Sequence, residues 1–206
     1  HRIDAAAANS LLKTLEEPPG YLTLVLTAEN AYELLPTIRS RCIPFFFAPL
    51  STEEVKRVLA RRSEIAPPDR DRLAAWAGGS PGRALSLDIA AYLKRRQAML
   101  ALLRAGAGAG PFRDLLVHTE GIGRSKQEKL EWLLDLLYGL LRDLLHIRHD
   151  RPIVNEDLRA ELADLAGRVD FTWLEKALGQ LDELDRLTRR HIQKQIALEA
   201  LAVGLR

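Results

Sequence analysis

Arg39 and Arg41 stand in the segment Pro-Thr-Ile-Arg-Ser-Arg-Cys at residues 36–42, a short distance beyond an apolar run at residues 22–26. A guanidinium is always charged and offers a planar fork of donors to phosphate or carboxylate oxygens, a geometry that lysine lacks. Spacing alone leaves two readings: the arginines reach an anion outside their own fold, or they pair with Glu29 or Glu33 as surface side chains of little energetic weight. Thr27 and Asn30 sit at the carboxyl end of the apolar run. Open α/β sheets bind ligands there, so either polar group is placed to sense a phosphate or a water. A third arginine, Arg83, falls in Gly-Ser-Pro-Gly-Arg-Ala-Leu, in the expected first turn of a helix. It opposes the positive end of the helix dipole, so an anion or a neighbouring acid such as Asp88 accounts for it.

Other candidate chemistry is weaker. His146 and His149 share a helical face, but no second ligand pair and no H-E-x-x-H accompanies them, so the reading is solvated histidines without a metal. Arg189, Arg190, His191 and Lys194 form a basic cluster diluted by Glu183 and Asp185, which reads as a wet face. No serine, histidine and aspartate are spaced to argue a nucleophilic triad.

The elements that must position these groups read as mostly helical. Leu11, Leu12 and Leu15 recur at helical spacing before Pro18 and Pro19 forbid continuation, predicting a short amphipathic helix over residues 9–16. The run at 22–26 predicts a strand covered on both faces, one of two short strands expected within residues 1–49. Ser51 and Glu54 form a capping-box pattern with Leu50 and Val55 as a hydrophobic staple, so a helix begins there and runs to about residue 63. A second helix is expected over 69–77, stopped by Gly78 and Gly79, and Ser80 with Pro81 opens the next. Residues 85–103 read as one long helix, and the glycine-alanine stretch 105–111 as a loop within a bundle. Gly121 and Gly123 are expected to end an earlier helix, and Ser125 with Glu128 to cap the leucine-rich helix over 130–145. That helix has an apolar arc broad enough for the centre of a bundle, with Arg142 and Asp143 as a possible buried pair. Asn155 is expected to cap a helix to about residue 166. Thr172 with Glu175 is expected to cap the last long helix, with Trp173, Leu174, Ala177, Leu178, Leu181 and Leu184 inward.

Three segments, Leu-Leu-Lys-Thr-Leu-Glu-Glu-Pro-Pro, the Leu-Val-Leu-Thr run and the triplet Ser40-Arg41-Cys42, resemble the clamp-loader subunits of the AAA+ class in bacterial DNA polymerase III. The resemblance implies the fold class: mostly α, comprising the C-terminal part of an AAA+ α/β domain (1–49), a helical lid (50–90) and a helical-bundle collar (91–206). It implies that Arg41 is an arginine finger, inserted in trans into a neighbour's ATP site to stabilise charge during phosphoryl transfer. Gly-Ser-Pro-Gly-Arg-Ala-Leu resembles the family's sensor 2 segment, which makes Arg83 a nucleotide contact, while Thr27 and Asn30 fall at the sensor 1 position. The implied partners are the gamma or tau and delta subunits in a hetero-oligomeric ring, and through that ring the sliding clamp and primer-template DNA. ATP belongs to a neighbouring subunit's interface, and no cofactor is expected in this piece. The lid and the leucine-rich helix look more like the stator type of subunit than the gamma or tau motor. The motor remains the alternative, as an ATPase whose P-loop precedes this sequence. On either reading the chain is not catalytic alone but part of a DNA-directed polymerase holoenzyme, a nucleotidyltransferase with clamp-loader ATPase activity.

No G-x-x-x-x-G-K-[ST] occurs among the 206 residues, so this sequence cannot cradle a triphosphate by itself. It opens on His1, and the expected reading is a fragment whose upstream part holds the P-loop, the Walker B acids and, in many relatives, a four-cysteine zinc module. A net charge of +2 is nearly balanced and predicts no autonomous DNA affinity. Cys42, the single cysteine, fits a reducing cytoplasm and reads as a small buried filler. Glu131, Asp135, Arg142 and Asp143 exclude a membrane span for the leucine-rich helix.

Overall fold

The computed structural model describes residues 5–28, 30–124, 129–188 and 193–206. They contain eleven α-helices and no strand. Two compact units divide the chain, His1–Pro49 and Leu50–Arg206.

In the first unit, α1 (Ala5–Glu16) starts earlier than the leucine spacing predicts, because the alanine run that opens it has the best intrinsic helix propensity. Pro18 and Pro19 stop it as expected. A 3-10 turn (Ala31–Glu33) and the four-residue α2 (Pro36–Arg39) follow, and Ile38 packs into the unit with 3% of its surface exposed. The two expected strands do not form among the described residues. Residues 22–28 have no regular structure, and Val25, Phe45, Phe46 and Phe47 are exposed. A strand draws its backbone hydrogen bonds from a neighbouring strand, and neither apolar run here finds one to pair with. Cys42 is only half-buried, because the segment after α2 runs along the surface rather than through a core.

The second unit is built from helices throughout. α3 (Thr52–Ala60) has a complete capping box: the Ser51 hydroxyl accepts from the Glu54 backbone N–H at 3.3 Å, and the Glu54 carboxylate accepts from the Ser51 backbone N–H at 2.9 Å. The Ser51 backbone N–H, and then the Ser51 hydroxyl donating to the same carboxylate at 2.8 Å, hold the Glu54 carboxyl below its usual range. Pro67 takes the first position of α4 (Pro67–Trp76), two residues earlier than predicted, since proline lacks only an N–H that the first turn leaves unpaired anyway. Gly78 and Gly79, at φ 59° and 81°, stop the chain in the left-handed region that glycine alone enters cheaply. α5 (Pro81–Ser86) opens on Ser80, whose hydroxyl accepts from the Arg83 backbone N–H at 3.3 Å. The long helix expected over 85–103 is broken at Leu87, and α6 (Ile89–Gly106) restarts because the Asp88 carboxylate accepts from the Ala91 N–H. Val55, Leu59, Leu73, Ala74, Ala77 and Ala84 form a small core among α3, α4 and α5.

The larger core lies among α6, α7 (Phe112–Arg124), α8 (Leu130–Arg148), α9 (Arg159–Arg168), α10 (Phe171–Leu187) and α11 (Lys194–Gly204). Leu133, Leu137, Leu140 and Leu144 of α8 are fully or almost fully buried, each contributing roughly 1.5–3 kcal/mol by leaving water. The 105–111 stretch is the tight connection between α6 and α7, with the Ala109 N–H donating to the Arg104 carbonyl at 2.8 Å. A Cβ on Gly106 would lie 2.8 Å from that of Leu205, so the crossing of α6 and α11 requires glycine.

Several predicted boundaries shift. Gly121 and Gly123 lie inside α7, because packing of Leu115, Thr119 and Ile122 outweighs their low propensity. The expected Ser125–Glu128 cap lies outside the described residues. Thr172 lies within α10, and the cap is Asp170, which accepts from the Trp173 N–H at 2.7 Å. Leu178 of the expected inner stripe is exposed, whereas Leu174, Ala177, Leu181 and Leu184 are buried. Asn155 precedes a 3-10 turn (Glu156–Leu158) and makes no side-chain cap, since its amide is engaged elsewhere. No helix is long and apolar enough to cross a membrane among the described residues.

Candidate functional site

Arg41 lies just past the end of α2, turned back onto its own unit. One terminal nitrogen donates to the Thr37 carbonyl at 2.9 Å and to the Ser40 hydroxyl at 3.3 Å; the other meets the Glu16 carboxylate, at the end of α1, at 2.5 Å. Of the acids offered by the spacing, Glu29 lies outside the described residues, and so does the side chain of Glu33. Arg41 keeps 34% of its side-chain surface open and Glu16 49%, so the pair is in contact with water and worth at most about 1 kcal/mol. A guanidinium has five N–H bonds, and these contacts leave some of them for other acceptors. Arg39 lies over the ring of Tyr32, its guanidinium carbon 5.4 Å from the centroid.

Asn30 is turned inward on local structure, its side-chain oxygen accepting from the Tyr32 N–H at 3.0 Å as the cap of the 3-10 turn. Thr27 is exposed. The unit therefore brings Arg41, Ser40 and Glu16 together, and keeps Asn30 for its own turn.

Arg83, in the second unit, does not pair with Asp88, which caps α6. It reaches Asp135 on α8 at 3.1 Å, with both side chains about half exposed. A cleft of about 320 Å³ opens beside this pair, lined by Tyr92, Arg96, Tyr138 and Arg142 as well. Its floor is a buried polar network. Asp143, with no exposed side-chain surface, accepts from the backbone N–H groups of Val154 and Asn155 at 3.1 and 2.8 Å and from the Asn155 amide at 2.7 Å. The expected Arg142–Asp143 pair exists at 3.5 Å, but Arg142 is half exposed and only the aspartate is buried. Arg96, 2% exposed, donates to Asn155 at 2.9 Å and grips Asp157 with both terminal nitrogens. Its guanidinium lies 5.0 Å from the Trp76 ring, which stacks on Tyr92 at 4.4 Å. Burial pushes the Tyr92 phenol up to about 12. Burial first, and then a 2.6 Å hydrogen bond to Asp182, also raises the Tyr138 phenol.

Three of these residues escape a reading by motif. Glu16 is 25 positions from Arg41, and Asp135 lies on a different helix from Arg83, so no local spacing could pair them. Arg96 did carry a signal: it follows Tyr92 by four positions and precedes Met99 and Leu103 on the buried stripe of α6. A nitrogen of His146 lies 2.6 Å from the Pro152 carbonyl. Residues 189–191 of the basic cluster are outside the described residues, and Lys194 begins α11.

Family models for "DNA polymerase III, delta subunit" and "DNA polymerase III, delta subunit, C terminal" match residues 1–51 and 91–205. The delta' subunit of DNA polymerase III from Escherichia coli is 32% identical over 183 residues, 85% of this chain and 51% of that protein. The delta' subunit from Pseudomonas aeruginosa is 30% identical over 96% of this chain and 60% of its own length. The tau subunit of E. coli is 37% identical over 92 residues, 42% of this chain and 14% of that subunit. This chain thus spans about half to three-fifths of the length of the delta' relatives.

Proposed function

We propose that this chain, which belongs to the DNA polymerase III delta-prime subunit family, acts as the stator of a clamp loader, supplying Arg41 in trans to the ATP site of a neighbouring gamma or tau subunit. The observation that carries this reading is the Arg41 guanidinium, just past the end of the short α2, partly open to solvent and with donors to spare. Residues 1–49 serve as the edge of an AAA+ α/β domain, 50–90 as its lid and 91–206 as the collar through which it joins gamma or tau and delta. Exposed Val25, Phe45, Phe46 and Phe47 support that assignment for the first segment, as apolar groups suited to a sheet. The ring so formed loads the sliding clamp on primed DNA. Arg83, Thr27 and Asn30 are the positions where a bound nucleotide would be sensed, and in the stator they are spectators.

Arg41→Ala in the full-length subunit, assembled with its partners and with the other nucleotide sites inactivated at their P-loop lysines, lowers ATP turnover at the facing site by about 10³-fold or more. Unchanged turnover in an intact complex removes the finger. The tau similarity supports a second reading, a motor subunit with its own P-loop. It predicts labelled-ATP binding by the isolated full-length protein, weakened by Arg83→Ala, where the stator predicts none.

A further inference from the structure

We propose that Glu16 is a positioning residue for Arg41, ordering the guanidinium before a neighbour's triphosphate arrives; the inference rests on the finger reading above. The two terminal nitrogens of Arg41 are held by different elements. One is fixed by the Thr37 carbonyl and Ser40 hydroxyl within the α2 turn, and the other by the Glu16 carboxylate at the last residue of α1. Two anchors from two helices define both the reach and the plane of the fork, whereas either alone leaves it free to rotate.

The carboxylate is itself well placed to act as a fixed post. Pro18 and Pro19 end α1 immediately after it, and the Glu17 N–H still donates to the Lys13 carbonyl at 3.1 Å, so the last turn is closed. Ordering a long arginine costs rotamer entropy, and here that ordering precedes encounter. Because both partners are in contact with water, the pair is weak enough for a triphosphate, with several charges, to take over the Glu16-bound nitrogen. A deeply buried pair would have held the finger back; no pair would have left it disordered.

The assembled complex used for Arg41→Ala provides the test, with Glu16→Ala made alone and on the Arg41→Ala background. Glu16→Ala is expected to lower kcat at the facing site about ten-fold with little change in KM for ATP. On the Arg41→Ala background it is expected to change nothing further, because its effect passes through the missing side chain. Glu16→Gln, which keeps an accepting oxygen, recovers part of the loss. An equal fold-loss in both backgrounds assigns Glu16 a merely structural part, and unchanged or increased kcat for the single variant likewise overturns the proposal. If Arg41→Ala itself leaves turnover intact, the finger reading fails; if it abolishes turnover while Glu16→Ala leaves kcat unchanged, only the present inference does.

Discussion

Residues 22–26 and the leucine-rich α8 are both apolar runs, and they end in opposite environments. Leu133, Leu137 and Leu144 are fully buried, whereas Val25 is 84% exposed and Leu22, Leu24 and Leu26 are each more than a third exposed. A helix closes its backbone hydrogen bonds within itself and asks its neighbours only for side-chain contact. A strand asks a neighbour for both. The second unit supplies helices on several sides of α8, while the described part of the first supplies nothing to pair with. Hydrophobicity alone therefore does not decide what is buried here; the availability of a partner for the backbone does.

The sharpest way to strain the contrast is to attack the polar centre of the well-packed region. Asp143→Ala removes the acceptor of three N–H groups and leaves them unpaired in the interior, and a loss of about 3–5 kcal/mol is expected from urea unfolding. A loss below about 1 kcal/mol would mean that water reaches the network and that α8 is less enclosed than its leucines imply. Ser51→Ala removes one half of a capping box at the boundary between the two regions, with an expected cost of about 1 kcal/mol in the same assay. Phe46→Ser, in the poorly covered region, should shift stability of this chain by no more than about 0.5 kcal/mol. A large loss at Phe46 would show that the ring is buried in solution and would erase the contrast.

Features encoded by neighbours in sequence were legible. The Ser51 and Ser80 caps, the stop at Gly78 and Gly79 and the central place of α8 all follow from short-range rules and appear as read. What failed depended on residues far apart. Asn155 had the type and place of a cap, but Asp143 and Arg96 recruit its amide, a contact spanning 12 positions to one and 59 to the other. Asp170 displaced Thr172 as a cap because both are competent and only packing of α10 decides where the first turn starts. Gly121 and Gly123 look like terminators until the burial of Ile122 between them is known. At the candidate site, the sequence marks Arg41 but says nothing of Glu16, because the packing of α1 against α2 makes that contact.

Trp76 carries a mechanical implication. It belongs to α4, yet its ring counts among the residues of the large core, held between Tyr92 and Arg96 of α6. Any pivot of α4 against α6 must first pull the indole away from the Tyr92 ring and the Arg96 guanidinium. A displacement of α4 is thus handed on to α6 through one indole, which couples the small core to the large one.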